Sequence, residues 1–268
     1  MSSRIILKKH EERRITGGHL WAFSNEIATI EGEPQAGDIV EVRSHAGHFV
    51  GLGFYNPHSL IAVRILARQH EEIDFQYFRK RIESALDLRK SLFPDADAYR
   101  LVHGESDFLP GLVVDVYGKY LVVQTFSFGM DKRMTLICDV LDSLLHPKGI
   151  IERNEAHVRA LEQLPEKSGV VRGNAAVIEI KEHGITYSVD LLEGQKTGFF
   201  LDQRENRFAI RRYARGKRVL DCCCNEGGFA LNAAAAGARE AIGVDGSEQI
   251  LRRAQANEEK NNLAERTK

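Results

Sequence analysis

The stretch VLDCCCNEGGFAL, residues 219–231, joins a short apolar run that ends in Asp221 to a Gly227-Gly228 pair and an alanine-rich segment. This pattern predicts a strand over Lys217–Cys222, followed by a helix. A second short run, Glu240–Asp245, also ends in an acid. Together the three segments predict a βαβ unit, which places parallel strands in a Rossmann-like sheet.

The acid at the end of the second strand predicts a ligand that contains a ribose. Asp245 lies 24 positions after Asp221 (245 − 221), close to the spacing at which nucleotide-binding βαβ units place the carboxylate that binds ribose hydroxyls. Cys223 and Asn225 occupy glycine positions that a pyrophosphate would need, and Glu226 would repel a phosphate. S-adenosylmethionine has a ribose and no phosphate, so it is the predicted cofactor, with its ammonium group near Glu226 or Asp221.

The polar loop in LLEGQKTGFFLDQRENR, residues 191–207, precedes this unit and follows an alternating run, Ile185–Leu191, that predicts a strand. Asp202 and Glu205 match a capping box, which predicts a helix that starts near Gln203. One interpretation of the loop is a plain connector whose phenylalanines belong to the core. The other gives it a role in binding, in which a cation or hydroxyl holds the cofactor's carboxylate and a phenylalanine walls the site. The predicted cofactor-binding residues are Gln195, Lys196, Thr197, Phe199, Arg204, Asp221, Asn225, Gly227, Asp245, Gly246 and Ser247.

Three of the four cysteines are contiguous, Cys222, Cys223 and Cys224. A disulfide framework is disfavoured because neighbouring cysteines bridge only with strain and Cys138 is the single remaining partner. Zinc is disfavoured because consecutive strand residues point to opposite faces, and no metal is predicted. A nucleophilic thiolate is an open alternative, but small buried residues at the end of a strand are the favoured interpretation.

The sequence before this region divides into two further parts. Residues 1–72 contain short strands separated by turns (RIILKK, DIVEVRS, HFVGLGFY and LIAVRILA), which predicts a small β-barrel. Residues 73–183 begin with a helical pattern from Asp74 and continue with a hairpin at Gly118-Lys119 and the helix MTLICDVLDSLL, which predicts an α+β domain. The third part, residues 184–268, holds the βαβ unit, so the fold class is α/β and α+β multidomain.

Composition is that of an ordinary soluble globular protein, with 43% hydrophobic and 28% charged residues in 268. No apolar run reaches the length of a membrane span, so we expect a cytosolic protein without a membrane partner. The formal net charge is −1, so contact with nucleic acid requires a local basic patch. The predicted RNA-binding residues are Lys8, Lys9, Arg13, Arg14 and Trp21; a solvated charged face is the alternative.

The motifs GQKTGFFLDQRENR and LDCCCNEGGFALNAAAAGA, together with HLWAFSNEI and VGLGFYNPHSLIAVRIL near the N-terminus, resemble a known family along the whole chain. It comprises class I methyltransferases that carry an N-terminal PUA domain and methylate carbon 5 of cytosine in large-subunit ribosomal RNA. The resemblance implies a PUA-like RNA-binding domain over 1–72, a middle domain over 73–183 and the first part of a Rossmann-like methyltransferase domain over 184–268. It also implies ribosomal RNA as a partner and leaves a homodimer open. Asn225 and Glu226 depart from the family's usual aromatic residue and threonine.

The same resemblance implies that a nucleophilic cysteine follows a later Asp-Pro-Pro motif, and this sequence contains no such motif. We therefore expect catalytic residues beyond Lys268, a truncated Rossmann-like domain and an inactive 268-residue chain. Two other functions are open at this point: a non-catalytic RNA-binding protein with a relict nucleotide-binding fold, and a nucleotide-dependent oxidoreductase. Binding of S-adenosylmethionine or of NAD would separate the oxidoreductase from the others.

Overall fold

The computed structural model describes residues 3–194 and 196–268. Gln195, one of the predicted cofactor-binding residues, lies outside the described residues. The chain forms two compact units, Met1–Pro94 with Arg100–Asn174, and Asp95–Tyr99 with Ala175–Lys268. The division into three domains over 1–72, 73–183 and 184–268 stays a prediction.

The first sheet has six strands in the order β2-β6-β5-β4-β1-β3. The strands are β1 (Arg4–Leu7), β2 (Trp21–Ala22), β3 (Ile27–Glu31), β4 (Ile39–Arg43), β5 (Phe49–Tyr55) and β6 (Val63–Ala67), and helix α1 (Glu12–Thr16) follows β1. Their inward side chains, such as Ile5, Val40 and Ile65, are completely buried in one core. Alternating apolar residues predict β1, β4, β5 and β6. They do not predict β2, which has two residues, or β3, whose residues are mostly exposed.

The second sheet has five strands in the order β11-β10-β9-β8-β7. The strands are β7 (Ala98–His103), β8 (Leu112–Tyr117), β9 (Tyr120–Thr125), β10 (Gly149–Arg153) and β11 (Ser168–Gly173), and the helices are α2 (Phe75–Leu92), α3 (Phe128–Asp131), α4 (Met134–Leu145) and α5 (Ala156–Ala160). The predicted hairpin is confirmed, because β8 and β9 pair antiparallel around Gly118-Lys119. Helix α2 begins after Asp74, whose side chain accepts a hydrogen bond from the Tyr77 N–H at 3.0 Å. That bond is an N-cap, which explains the start of the predicted helix.

The second unit contains two pairs of strands. The strands are β12 (Val177–Glu182), β13 (Ile185–Asp190), β14 (Arg218–Cys222) and β15 (Glu240–Val244), and the helices are α6 (Arg204–Ala209), α7 (Arg211–Ala214), α8 (Gly228–Ala235) and α9 (Glu248–Lys260). β12 pairs antiparallel with β13, whereas β14 and β15 are parallel and joined by α8. The predicted βαβ unit is confirmed. Its helix approaches the strands closely because the contact is made by small residues, Ala230, Ala233 and Ala234 against Ala241.

The segment between β13 and β14 differs from the single capped helix that the sequence predicts. A 3₁₀ turn over Leu201–Gln203 precedes α6, and α6 and α7 are separate helices. Helix α6 begins at Arg204, so the predicted start near Gln203 is confirmed. Its N-cap is Gln203 and not Asp202, and it makes no side-chain cap bond, so the predicted capping box is wrong. The reason is tertiary: the Arg207 side chain donates to the Phe200 carbonyl at 2.9 Å and fixes the entry to the helix.

Within the described ranges, no helix combines the length and the apolar character that crossing a membrane requires. The cytosolic location stays a prediction.

Candidate cofactor site

A pocket of about 510 Å³ lies in the second unit, where β14 and β15 reach their carboxyl ends. Ligands of open α/β sheets bind at this edge. The walls come from the loop after β13, the turn after β14 and the end of β15. The lining residues are Lys196, Phe199, Phe200, Asp202, Gln203, Arg207, Cys223, Cys224, Asn225, Glu226, Gly228, Phe229 and Asp245.

Asp245 follows β15 and holds two backbone segments with one carboxylate. Its Oδ2 accepts a hydrogen bond from the Asn225 N–H at 3.1 Å, and its Oδ1 accepts one from the Ser247 N–H at 3.1 Å. Ser247 in turn caps α9. A carboxylate has about four acceptor sites, so Asp245 retains the capacity to accept two ribose hydroxyls.

The turn after β14 contains three residues with a left-handed backbone conformation. Cys223, Asn225 and Gly227 have φ angles of 59°, 50° and 81°. Left-handed conformations cost little for glycine and asparagine and more for cysteine. Gly227 is the N-cap of α8, and a Cβ there would meet Ala254 at an ordinary 3.4 Å, so the φ angle and not the space favours glycine.

Asp221 lies outside the pocket, against the start of α8. Its Oδ2 accepts a hydrogen bond from the Ala230 N–H of α8 at 3.0 Å, and it is not among the lining residues. Burial raises the pKa of Asp221, and the charge of Asp245 raises it further. Of the two carboxylates that the sequence places near the cofactor's ammonium, Glu226 lines the pocket and Asp221 does not.

Glu226 is a buried acid in the pocket wall, with 3% of its surface exposed. Its Oε1 lies 3.5 Å from Arg253 Nη1, and within residues 3–194 and 196–268 no group donates a hydrogen bond to its Oε2. Arg253 also lies 3.4 Å from Asp190, where β13 ends. Arg253 thus links the turn after β14 to the start of the polar loop. Burial raises the pKa of Glu226 to about 7.

The elevated pKa of Glu226 predicts a fall in stability with rising pH. The usual value is 4.5, so in the intermediate range the folded protein keeps a proton that the unfolded chain has lost. The stability of the folded protein is therefore unaffected by Glu226 below about pH 4.5, and it falls as the pH rises through about 7. Each pKa unit corresponds to about 1.4 kcal/mol. We expect Glu226→Gln to raise the free energy of unfolding relative to the parent at about pH 8, with a smaller difference at about pH 5.

Urea unfolding of the parent and of Glu226→Gln at both pH values checks this expectation. Glu248→Gln, which neutralises an exposed carboxylate of the same unit, is the matched control and should leave the pH dependence unchanged. Parallel pH profiles for the parent and Glu226→Gln would contradict the assignment of the proton to Glu226.

The polar loop contributes both to the core and to the pocket wall. Phe199 is buried, and its ring lies 4.9 Å from the Tyr187 ring and 4.5 Å from the Arg207 guanidinium. Lys196 lies with its ammonium 4.4 Å over the Phe200 ring and 3.9 Å from Asp202. Phe199 therefore packs in the core, as the first interpretation predicts, and it also lines the pocket, as the second interpretation requires.

The structure brings together part of the predicted cofactor set. Lys196, Phe199, Asn225 and Asp245 line the pocket; Thr197, Arg204, Asp221, Gly227, Gly246 and Ser247 are not among its lining residues. Thr197 is buried, and Arg204 lies 3.8 Å from Glu182. The prediction missed further lining residues, of which Gly228 carries a local signal as the second glycine of the turn: Phe200, Asp202, Gln203, Arg207, Cys223, Cys224, Gly228 and Phe229. The assignment of binding roles to any of these residues stays a prediction.

The triple cysteine is only partly buried. Cys224 is buried, and burial raises its pKa to about 11, so it is a thiol at neutral pH. Cys222 and Cys223 are exposed. The interpretation of all three as buried packing residues is therefore wrong. Cys222 lies on the same exposed face of β14 as Leu220, and Cys223 stands in the left-handed turn at the pocket.

No group of three or more His, Cys, Asp or Glu within the described part of the chain could hold a metal ion.

The predicted RNA-binding residues lie on the six-stranded unit. Lys8 donates to the Asn25 carbonyl at 2.7 Å, and Arg14 donates to Glu26 at 2.6 Å. Trp21 is half-buried, and its Nε1 donates a hydrogen bond to the carboxylate of Glu105 at 2.7 Å. Lys9 is exposed beside a cleft of about 340 Å³. Arg13 is also exposed, and its guanidinium lies 3.4 Å from His10 Nδ1.

Two family models match the chain. A PUA-like domain matches residues 5–68, and an S-adenosylmethionine-dependent methyltransferase matches residues 167–265. Two solved structures also resemble the whole chain. A candidate S-adenosylmethionine-dependent methyltransferase from Streptococcus mutans has a TM-score of 0.82 and 23% identity, over 98% of this chain and 68% of that one. SMU.776, a candidate methyltransferase complexed with SAH, has a TM-score of 0.84 and 23% identity, over 98% and 67%. They confirm the fold class, a PUA-like domain followed by a Rossmann-like methyltransferase fold.

Curated relatives show the family. The ribosomal RNA large subunit methyltransferase I of Erwinia tasmaniensis is 38% identical over 268 residues, 98% of this chain and 68% of the relative. The protein of the same name from Shigella dysenteriae is 37% identical, over 98% and 67%. These matches favour neither the relict RNA-binding protein nor the oxidoreductase, and they give no support to an inactive chain. The chain belongs to the S-adenosylmethionine-dependent family of the ribosomal RNA large subunit methyltransferase I proteins.

Proposed function

We propose that the protein transfers a methyl group from S-adenosylmethionine, bound in the pocket of the second unit, to carbon 5 of a cytosine in large-subunit ribosomal RNA. The observation that carries the proposal is the pocket itself. It lies at the carboxyl edge of a βαβ unit and presents the carboxylate of Asp245 at the end of the second strand. That is the place where nucleotide-binding units bind a ribose.

The other walls suit the remaining parts of the cofactor. The Glu226 carboxylate is an acceptor for the ammonium group, since its Oε2 has no donor among the described side chains and backbone groups. The ammonium of Lys196 is a donor for the cofactor's carboxylate. Phe199 and Phe229 supply apolar surface next to these charges. Charge-assisted contacts of this kind are stronger than neutral hydrogen bonds.

Methylation of carbon 5 needs a thiolate, because cytosine carbon 5 becomes nucleophilic only after addition to carbon 6. The resemblance of GQKTGFFLDQRENR to cytosine-5 enzymes supports this reaction. Cys224 is a poor thiolate because of its raised pKa.

Methyl transfer to ribosomal RNA tests the proposed reaction. Labelled S-adenosylmethionine is incubated with the protein and unmodified large-subunit ribosomal RNA, and the RNA is digested to nucleosides for mass spectrometry. Label in 5-methylcytidine supports the proposal, and label in any other nucleoside contradicts its cytosine-5 part.

RNA binding by the first unit is tested through two cations. Lys8 and Arg14 already bind groups of their own unit, so we expect Lys9 and Arg13 to bind the phosphates. The double variant Lys9→Gln and Arg13→Gln should weaken RNA binding and flatten its salt dependence by about 0.7 to 0.9 in the log–log slope for each phosphate that is no longer neutralised. Filter binding over a salt series measures both. A variant with Lys80→Gln and Lys90→Gln is the charge-matched control, and an equal slope for both variants would place the RNA surface elsewhere.

A further inference from the structure

Four exposed cations gather at the amino ends of β14 and β15, the edge of the strand pair opposite to the cofactor pocket. Arg215 follows α7, Lys217 precedes β14, Arg239 precedes β15 and Arg266 follows α9. All four residues are exposed. They come from three segments of the chain: Arg215 and Lys217 share the connection between α7 and β14, whereas Arg239 and Arg266 lie in later connections. The fold therefore brings the three segments together.

Backbone contacts fix this basic cluster, defined as Arg215, Lys217, Arg239 and Arg266. The Lys217 carbonyl accepts a hydrogen bond from the Arg239 N–H at 2.8 Å. A Cβ placed on Gly237 would lie 3.8 Å from Arg215 Cγ and 3.9 Å from Arg266 Nη1. The side chains of Arg215 and Arg266 therefore flank one point on the surface, and Lys217 and Arg239 immediately precede the two paired strands.

The cluster is not neutralised by the carboxylates around it. In the part of the chain that the structure describes, none of the four side chains forms an ion pair. Glu240, next to Arg239 in the sequence, is bound by Arg218 and by Lys268, both at 2.6 Å. Glu265 adds one negative charge beside Arg266 in the sequence. Cations that share a surface in this way repel one another, and an external polyanion removes the repulsion.

We propose that the basic cluster binds the phosphodiester backbone of RNA. Arginine guanidinium groups bind phosphate oxygens in a bidentate manner, and exposed lysine supplements them as a point charge. An open surface with four cations from three segments suits an extended chain of phosphates better than a single small anion. Because the cluster lies across the strands from the pocket, it holds RNA that flanks the target nucleotide. This inference rests on the proposed function, in which ribosomal RNA is the substrate.

The test compares two variants of equal charge change in the full chain. In the cluster variant, Arg215→Gln, Lys217→Gln, Arg239→Gln and Arg266→Gln are combined. In the control variant, four exposed lysines of the first unit are changed, Lys80→Gln, Lys90→Gln, Lys119→Gln and Lys148→Gln. The probe is protein-free large-subunit ribosomal RNA transcribed in vitro, titrated over a salt series. Calorimetry with S-adenosylhomocysteine and circular dichroism check that each variant is folded and retains its cofactor site.

We expect the cluster variant to lose affinity for RNA and to flatten the log–log salt dependence by about 0.7 to 0.9 for each phosphate that it no longer binds, while the control variant changes less. Affinity for S-adenosylhomocysteine should equal that of the parent. Equal salt slopes for the cluster variant and the parent, with both folded, would overturn the assignment of this surface to RNA and point to another partner. If the parent itself binds no RNA, the substrate part of the proposed function fails as well.

Discussion

Replacing Arg207 by alanine is expected to destabilise the second unit by about 3 to 5 kcal/mol, the cost of leaving one buried charge unpaired. Arg207 Nε and Nη2 donate to the two oxygens of Glu182 at 2.6 and 2.7 Å, and 3% of each side chain is exposed. Without Arg207, the nearest cation among the described residues is Arg204, at 3.8 Å. The Phe200 carbonyl also loses the donor that holds the loop in place.

Hydrogen exchange of the amides in residues 175–268, followed as a function of urea, measures this loss within the second unit. Arg207→Lys, which keeps the charge but not the paired bonds, should lie between the parent and the alanine variant. The double variant Arg207→Met and Glu182→Met is the decisive control, because removing both charges leaves neither unpaired. A loss below about 1 kcal/mol in Arg207→Ala would mean that water reaches Glu182 and that the pair is not buried in solution.

Asp245→Ala is expected to weaken binding of S-adenosylmethionine by about 1.5 to 3 kcal/mol, which is roughly a ten- to hundredfold rise in the dissociation constant. Two effects contribute. The ribose hydroxyls lose their charged acceptor, and the Asn225 and Ser247 amides lose the oxygens that fix the turn and the start of α9. Isothermal titration calorimetry gives the dissociation constant directly.

Asp245→Asn separates the two effects. Asparagine keeps one acceptor oxygen and a similar shape, so it should retain part of the turn's support and lose the charge-assisted bond. Ser247→Ala removes the cap of α9 and leaves the carboxylate of Asp245 in place, so it should change the affinity little. A dissociation constant for Asp245→Ala equal to that of the parent would remove Asp245 from the site.

The βαβ unit can be predicted from the sequence because the features that indicate it lie close together in the chain. Apolar runs, an acid at each strand end and a glycine turn all lie within residues 217–245. Even there, the reason for the second glycine is tertiary: a Cβ on Gly228 would lie 2.7 Å from Arg207 Cδ. Residue spacing alone does not show that Arg207 packs on that turn.

The predictions that proved wrong also depend on contacts between residues that are far apart in the sequence. Arg207 and Glu182 are separated by 25 positions and pair only after β12 and α6 come together. Arg207 also donates to the Phe200 carbonyl, and a 3₁₀ turn over Leu201–Gln203 stands where the capping box is predicted. Similarly, the spacing of Asp221 and Asp245 is that of a ribose-binding unit, but only the fold shows that Asp221 bonds the backbone of α8 and stands behind the pocket.

The central claim is that the pocket of the second unit holds the cofactor, and hydrogen exchange with and without S-adenosylhomocysteine tests it most directly. Saturating ligand should slow exchange in three segments: the polar loop around Phe199, the turn from Cys223 to Phe229, and the amides beside Asp245. Protection should be absent from the first unit. Protection confined to the first unit, or none at a ligand concentration that calorimetry shows to be saturating, would contradict the account.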